Sequence, residues 1–272
     1  MMPGVPSAFP TPDEISVLVA RIRAGGRALV ALSGGVDSAV VAALARRALG
    51  DDCLAVTLVG PAVSQAEREG AEHSAHEIGI THEVVAVDPL TSPDYRANPD
   101  NRCYFCRVVE TSALRDRGQR QGVRQYLDGI HLDDIGDDRP GIRAMNEAGF
   151  VHPLLEAGWR KSDVRAFAHD LSLSSSSRPS DACLASRVRH GIPITVALLQ
   201  QVDAAERSVR SMGFRRVRVR VDGTNARVEV DPTEVPRLLS EPTAGRVEES
   251  LRGLGFTGTL LDPTGYRARP GM

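Results

Sequence analysis

Apolar positions along the chain change period several times, and each change marks an element. ISVLVARIRAGG repeats at helical spacing and stops on glycine. Thr11-Pro12-Asp13-Glu14 before it has the form of a helix start, with Thr11 as cap, Pro12 in the first turn and Glu14 closing a capping box. RALVALS is then a short continuous apolar run of buried-strand character, and DSAVVAALARRALG a helix ending on Gly50. CLAVTLV reads as a strand, SQAEREGAEHSAHEIG as a helix and HEVVAV as a strand; a helix over residues 101–119 leads to one more strand, RQYLDG. This alternation predicts an α/β domain with a doubly wound, mostly parallel sheet, which takes its ligand outside the carboxyl ends of its strands.

Residues 171–180, LSLSSSSRPS, form a polar run that is either a linker or mobile active-site backbone. Beyond His190 the pattern changes. TVALLQQVDAAERSVRSMG is a helix, RRVRVRV and ARVEV are strands, PTEVPRLLS and GRVEESLRGLG are helices, and GTLLD is a last strand. The order α-β-β-α-α-β predicts a small C-terminal α+β domain for substrate binding or oligomerisation. The expected division is therefore a flexible arm over 1–12, a nucleotide-binding domain over 13–190 and the small domain over 191–272.

Composition narrows the classes. The 272 residues are 42% hydrophobic and 25% charged, with a net charge of −2 and a pI near 6.4, so no basic field calls for nucleic acid. No run is long and apolar enough to span a bilayer, and MMPGVPSAFPTPDE lacks the basic-then-apolar pattern of a secretory signal. A cytoplasmic, reducing location is expected. There, four cysteines argue against a disulfide framework.

Candidate chemistry begins at Leu32-Ser33-Gly34-Gly35-Val36-Asp37-Ser38, between a buried strand and a helix. Gly34 and Gly35 would let the backbone approach an anion closely and take positive φ. Amides at the helix start, with the Ser33 and Ser38 hydroxyls, would cradle phosphate, and Asp37 would reach it through Mg²⁺. There is no GK[ST], so this is not a Walker loop. SGGVDS resembles the PP-loop of the ATP pyrophosphatases, which cleave between the α- and β-phosphates of ATP and adenylate a substrate.

Cys53, in CLAVTLV, belongs to a core strand and reads as a small hydrophobe. Cys103 and Cys106, in NRCYFCR, fall three apart on one face of the first turns of a helix that Asn101 would cap, where the helix terminus favours thiolate. Cys183 lies in PSDACLASR. A thioredoxin-like redox role would place CxxC after the first strand of its unit, and structural zinc wants four ligands, so three thiolates fit an iron–sulfur cluster with one open iron better.

SGGVDS, AVT at 55–57, NPDNRCYFCR, the acidic LDDIGDDRPG and PSDACLASR come in one order. Together they resemble the LarE-type ATP-dependent sulfur transferases of nickel-pincer nucleotide biosynthesis, over residues 15–265. The resemblance implies the PP-loop, adenine nucleotide alpha hydrolase-like fold. It implies adenylation of a carboxylate of pyridinium-3,5-biscarboxylic acid mononucleotide with release of pyrophosphate, after which sulfur displaces AMP to leave a thiocarboxylate. In one form of the family the sulfur is that of the cysteine at Cys183, which is left as dehydroalanine. In the form with all three cysteines, a [4Fe-4S] cluster on Cys103, Cys106 and Cys183 delivers it. All three positions are filled here, which favours the cluster form, with ATP and Mg²⁺ as the other cofactors and sulfide or a sulfur-donor protein as the source.

Arg216, Arg218 and Arg220 alternate along one strand face, solvated or serving an anion. The resemblance assigns Arg218 and Arg220 to the substrate, with Arg227 joining them and Glu206 as a weaker carry-over; alone, Glu206 reads as a surface helix residue, and Arg187, directly after Ser186, reads as an anion contact at the substrate. His190 reads as a loop histidine. Asp133, Asp134, Asp137 and Asp138 crowd one loop, as Mg²⁺ ligands or as a solvated run. Ile130-His131-Leu132 depart from the family's more polar GTNADD-like pattern, which opens the question of the sulfur acceptor. The resemblance further implies a homo-oligomer. Two other enzymes share parts of the pattern: a tRNA-thiolating PP-loop enzyme, opposed by the charge balance, and an amide-forming ligase of the NAD synthetase type, which needs no cysteine triad. A nucleotide-regulated cluster carrier is the non-enzymatic alternative.

Overall fold

The computed structural model describes residues 10–135, 139–177 and 183–266. Its helices and strands are, in chain order, α1 (Pro12–Gly25), β1 (Ala28–Ala31), α2 (Val36–Leu49), β2 (Cys53–Val59), α3 (Gln65–Ile78), β3 (Thr81–Ala86), α4 (Pro93–Arg96), α5 (Arg102–Arg120), β4 (Gln125–Leu127), α6 (Pro140–Glu147), α7 (Pro153–Glu156), α8 (Lys161–Asp170), α9 (Val196–Ser211), β5 (Val217–Asp222), β6 (Asn225–Val230), α10 (Val235–Leu239), α11 (Thr243–Gly253) and β7 (Gly258–Leu261). They form two compact units: Met1–Gly60, Gln65–Pro89 and Cys103–Asp181 make the first, and Pro61–Ser64, Leu90–Arg102 and Ala182–Met272 the second.

The first unit holds a parallel sheet in the order β3-β2-β1-β4. The chain winds from β1 to β2 to β3 on one side, then returns to lay β4 on the other side of β1. The carboxyl ends of β1 and β4 therefore flank the point where strand order reverses, which is where such sheets bind ligands. β1 and most of β2 are buried, as expected of parallel strands covered on both faces. One core joins Leu18 and Ile22 of α1, the small and β-branched residues of α2, and Val164, Phe167 and Ala168 of α8; on the opposite face Leu29, Leu54 and Val56 pack with Leu114, Tyr126, Met145 and Phe150. The capping box of α1 forms as its sequence predicts: Glu14 N donates to Thr11 Oγ1, and the Glu14 carboxylate accepts from Thr11 N at 2.7 Å.

The second unit holds β5-β6-β7, with β5 and β6 antiparallel and β6 and β7 parallel. From α9 onward its α-β-β-α-α-β order is that of the sequence pattern, and α4 joins it from earlier in the chain. Helices α6, α7 and α8 lie in a stretch where the pattern had yielded no element, although Val164, Phe167 and Ala168 stand at helical spacing. The serine run is packed rather than linker-like over its described part: Ser174–Ser177 form a 3₁₀ turn, Ser175 is buried, and Ser174 N and Oγ donate to Glu77. Most of the expected arm over 1–12 lies outside the described residues. Among the described residues no helix is long and apolar enough to cross a membrane.

Candidate active site

The phosphate loop leaves β1 at Leu32, whose backbone is held on two sides. Leu32 N donates to Val56 O at 2.9 Å, and Thr57 Oγ1 donates to Leu32 O at 2.7 Å. Gly34 has φ +82°, and a Cβ there would stand 2.6 Å from Glu67 O and 2.9 Å from Ala71 N of α3. Only glycine fits on both counts. Gly35 corrects the expectation of positive φ: it is the N-cap of α2, with φ −79° and ψ 159°, because the residue before a helix takes extended backbone. Ser38 Oγ donates to Gly35 O and accepts from Ser33 N, each at 3.1 Å, and lies 3.1 Å from Ser33 Oγ. The two serines thus brace the loop from within.

Asp37 is on the first turn of α2, and α8 brings its partner. Lys161 Nζ stands 2.7 and 2.6 Å from the two carboxylate oxygens of Asp37. Lys161 is the single lysine among 33 basic residues, a signal visible in the sequence but lost with α8. After β4, Gly129 presses against the start of α2; a Cβ there would lie 2.7 Å from Ser38 N and 2.9 Å from Asp37 Cβ. His131, at one of the atypical positions, is buried with Nε2 3.6 Å from Asp37 and Nδ1 3.4 Å from Asp134.

The described part of the acidic run, Asp133 and Asp134, bonds to the protein's own groups. Asp133 accepts from Lys161 N at 2.8 Å and from Arg160 at 2.7 Å, and these bonds, the backbone one foremost, hold its carboxyl below the usual range. Asp134 accepts from His131 N and from Arg139. Asp137 and Asp138 lie outside the described residues. Just before Gly129, Asp128 is buried: Oδ1 bonds His152 Nδ1 at 2.7 Å and Ile130 N at 3.1 Å, and His152 Nε2 stands 2.6 Å from Asn146 Oδ1.

Cys103 and Cys106 occupy the first turns of α5 as the spacing predicts, Cys103 exposed and Cys106 half-buried. Cys106 Sγ donates to Glu110 Oε1 at 3.3 Å. The Arg107 guanidinium is held strongly protonated, first by Glu110 and then by Cys106, Asp128 and Cys103 around it. Cys53 is buried in β2 without a disulfide, and burial pushes its thiol up to about 11, which fits a structural role.

The second unit carries the remaining candidates. Cys183 is the N-cap of a 3₁₀ turn, Leu184–Arg187. Arg187 is 3% exposed and Glu206 1%, and their side chains pair at 2.8 Å, so Glu206 is buried and not the surface helix residue its local sequence implies. Arg218, 3% exposed, and Arg220 share a face of β5, whereas the valines of β5 turn the other way into the core. Across the ladder Arg220 stands opposite Arg227, and Arg218 opposite Glu229. Arg220 Nε donates to Glu229 at 2.7 Å; Arg227 is exposed. Arg216 and Arg218 lie over the Tyr266 ring at 4.1 and 5.3 Å. The arginine face is thus covered by protein, not solvated. His190 is an exposed loop histidine whose Nδ1 lies 3.0 Å from Pro99 O.

Asp37 offers hard carboxylate oxygens of the kind Mg²⁺ takes, both of them on Lys161 here, while Cys103, Cys106 and Cys183 offer only thiols, which suit iron–sulfur chemistry. Among the described residues no three His, Cys, Asp or Glu side chains converge as a metal site.

The family model described as NAD synthase matches residues 14–102. That stretch carries the phosphate loop and ends one residue before Cys103. The pyridinium-3,5-bisthiocarboxylic acid mononucleotide synthase of Lactiplantibacillus plantarum is 34% identical over 93% of this chain and 91% of its own length. An uncharacterised protein of Synechocystis is 38% identical over 89% and 90%. A GMP synthase of Thermobifida fusca is 51% identical, but over only 57% of this chain and 34% of that protein. The likeness to the ligases is thus partial, whereas that to the thiocarboxylate-forming synthase runs through the phosphate loop, the CxxC helix and the Cys183 turn: the chain belongs to the LarE-type, ATP-dependent sulfur transferases of the PP-loop superfamily.

Proposed function

We propose that this enzyme adenylates a carboxylate of pyridinium-3,5-biscarboxylic acid mononucleotide, or a close relative of it, and converts the acyl adenylate to a thiocarboxylate. The reading rests on the product named for the Lactiplantibacillus relative. The observation that carries it is the placing of Cys183 and the arginine face of β5 in one unit: Arg220 Nη1 reaches Ser186 O of the cysteine turn at 3.4 Å. Arg220 and Arg227 stand opposite each other in register, Arg220 on Glu229 at 2.7 Å and Arg227 3.8 Å from Asp262, and together they would offer an anionic substrate two guanidinium donors.

In the first step a substrate carboxylate oxygen attacks the α-phosphorus of ATP, and the bond to the β-phosphate oxygen breaks. The amides of the loop from Ser33 to Ser38 bind the departing pyrophosphate, and Lys161 swings from Asp37 to its developing charge. Asp37 is then free to hold Mg²⁺, which neutralises phosphate charge when bound. In the second step sulfur attacks the acyl carbon and AMP leaves. Cys103, Cys106 and Cys183 would hold a [4Fe-4S] cluster, which would supply sulfide-level sulfur when bound, with sulfide as its source. Without a cluster, Cys183 itself attacks; loss of its Cα proton and cleavage of Cβ–Sγ leave the thiocarboxylate and dehydroalanine. We expect the enzyme to work in the cytoplasm as a homo-oligomer.

The deciding measurement is iron, zinc and acid-labile sulfide per chain after anaerobic purification, beside Cys103→Ala. About four irons with matching sulfide in the wild type alone support the cluster. Metal-free protein that still forms thiocarboxylate once per chain, with a mass loss at Cys183, overturns the cluster and leaves the sulfur transfer standing. Pyrophosphate release that ignores pyridine carboxylates but responds to ammonia would overturn the whole reading in favour of an amide-forming ligase.

A further inference from the structure

The turn that carries Cys183 is too short to hold its own shape: a four-residue 3₁₀ segment has few and poorly aligned internal bonds. Its backbone is held from outside instead. Leu184 N donates to Ala62 O at 2.9 Å, Arg102 Nη1 donates to Ala185 O at 3.0 Å, Arg220 Nη1 reaches Ser186 O, and Arg187 Nη1 donates to Cys183 O at 3.1 Å. Carbonyls of three residues in the cysteine turn thus each receive a guanidinium N–H.

Arg187 is the one that reaches the carbonyl of Cys183 itself, and its own position is fixed by a buried carboxylate. Glu206 Oε1 accepts from Arg187 Nε at 2.8 Å and from Val219 N at 3.1 Å, while Oε2 accepts from Arg210 at 2.7 Å and from Arg187 Nη2 at 3.4 Å. Arg187 Nη1 also donates to Ser186 Oγ at 3.0 Å. The fork of the guanidinium spans Glu206 on one side and the Cys183 carbonyl on the other. A buried ion pair contributes little to stability compared with apolar packing, so its effect is sought in geometry.

We propose that Arg187 and Glu206 are positioning residues for sulfur transfer, Glu206 orienting Arg187 and Arg187 fixing the backbone of Cys183, and that neither contacts the substrate. The inference rests on the reading that Cys183 carries or delivers sulfur. Displacing a reacting group by about 1 Å costs on the order of a hundredfold in rate, so the effect belongs in kcat.

The test uses Arg187→Lys, whose single ammonium cannot span both partners, and Glu206→Gln, which keeps shape and removes charge. In full-length enzyme each is expected to lower kcat for thiocarboxylate formation about tenfold or more, with KM for the carboxylate moving less than about twofold. Alkylation of Cys183 by iodoacetamide in the folded variants should quicken several-fold. A raised KM at unchanged kcat would place Arg187 on the substrate and overturn the proposal, as would wild-type kcat and alkylation in either variant. Should neither variant fold, amide hydrogen exchange of residues 184–188 in the wild type decides: slow exchange supports a clamped turn, and exchange at the rate of an open loop overturns it. A wild type that forms no thiocarboxylate sinks the sulfur-transfer reading alone, and alkylation and exchange still decide the positioning.

Discussion

Lys161 holds both carboxylate oxygens of Asp37, at 2.7 and 2.6 Å, although 124 residues separate them. The chain uses arginine at every other basic position, so a lysine here points to what an ammonium does and a guanidinium does not. It is a compact point charge on a flexible stem, able to move from a carboxylate to a phosphate. Asp133 accepts from the backbone N–H of Lys161 and thereby pins the start of α8 beside the loop.

Removing this charge should slow adenylation. Lys161→Ala is expected to lower ATP-dependent pyrophosphate release by about 10²-fold, the usual scale for a lost electrostatic contact to a developing anion. Lys161→Arg should recover little of it. Steady-state pyrophosphate assays check both, and wild-type rates in Lys161→Ala would remove Lys161 from the mechanism. Asp37→Ala should abolish the same activity.

The cysteines should separate from the phosphate loop. Cys103→Ala is expected to keep pyrophosphate release but lose thiocarboxylate formation, read by mass spectrometry of the product. Robust sulfur transfer by that variant would sink the cluster.

Arg227 is exposed and stands opposite Arg220, so truncating it removes charge with little loss of packing. Arg227→Ala should raise KM for the anionic substrate about tenfold, equivalent to one charge-assisted hydrogen bond, with the melting midpoint unchanged. An unchanged KM would leave Arg227 outside the substrate site.

Cys53 should be the inert thiol. With its titration pushed up to about 11 by burial, it carries almost no thiolate near pH 8. Peptide mapping after brief iodoacetamide treatment of folded, metal-free protein should find Cys103 modified and Cys53 intact, and both modified after unfolding. Prompt native labelling of Cys53 would contradict its burial.

His82 should make the nucleotide-binding unit acid-sensitive. Thr57 Oγ1 gives its proton to Leu32 O, so His82 Nε2, at 2.8 Å, is the donor to Thr57. Burial lowers the His82 pKa from the ordinary 6.5, against smaller opposing effects of Glu72 and Glu83. The unfolded chain then binds more protons than the native one, so the contribution is complete above 6.5 and falls away as pH drops through the depressed native value. Melting midpoints taken from about pH 7.5 to about pH 5.5 should fall less in His82→Gln than in wild type. Parallel curves would exclude His82 as the cause.

Much of this was legible from local pattern. The period of apolar residues marked β1 to β3, the capping box announced α1, and SGGVDS between a buried strand and a helix placed a phosphate loop. These succeed because they depend on residues within a few positions of one another. The short helices α6 to α8 escaped the same reading, and Lys161 escaped with them.

By itself the sequence determined the alternating α/β pattern, the glycine loop and the presence and spacing of the three thiols, since spacing and side-chain type are local properties. Only the tertiary structure decided which strand lies beside β1, that a lysine on α8 answers Asp37, and that Glu206 is buried against Arg187. Strand order and long-range ion pairs depend on how distant segments pack to bury their apolar faces, and nothing in the neighbourhood of Glu206 along the chain distinguishes a solvated carboxylate from one that holds a cysteine turn in place.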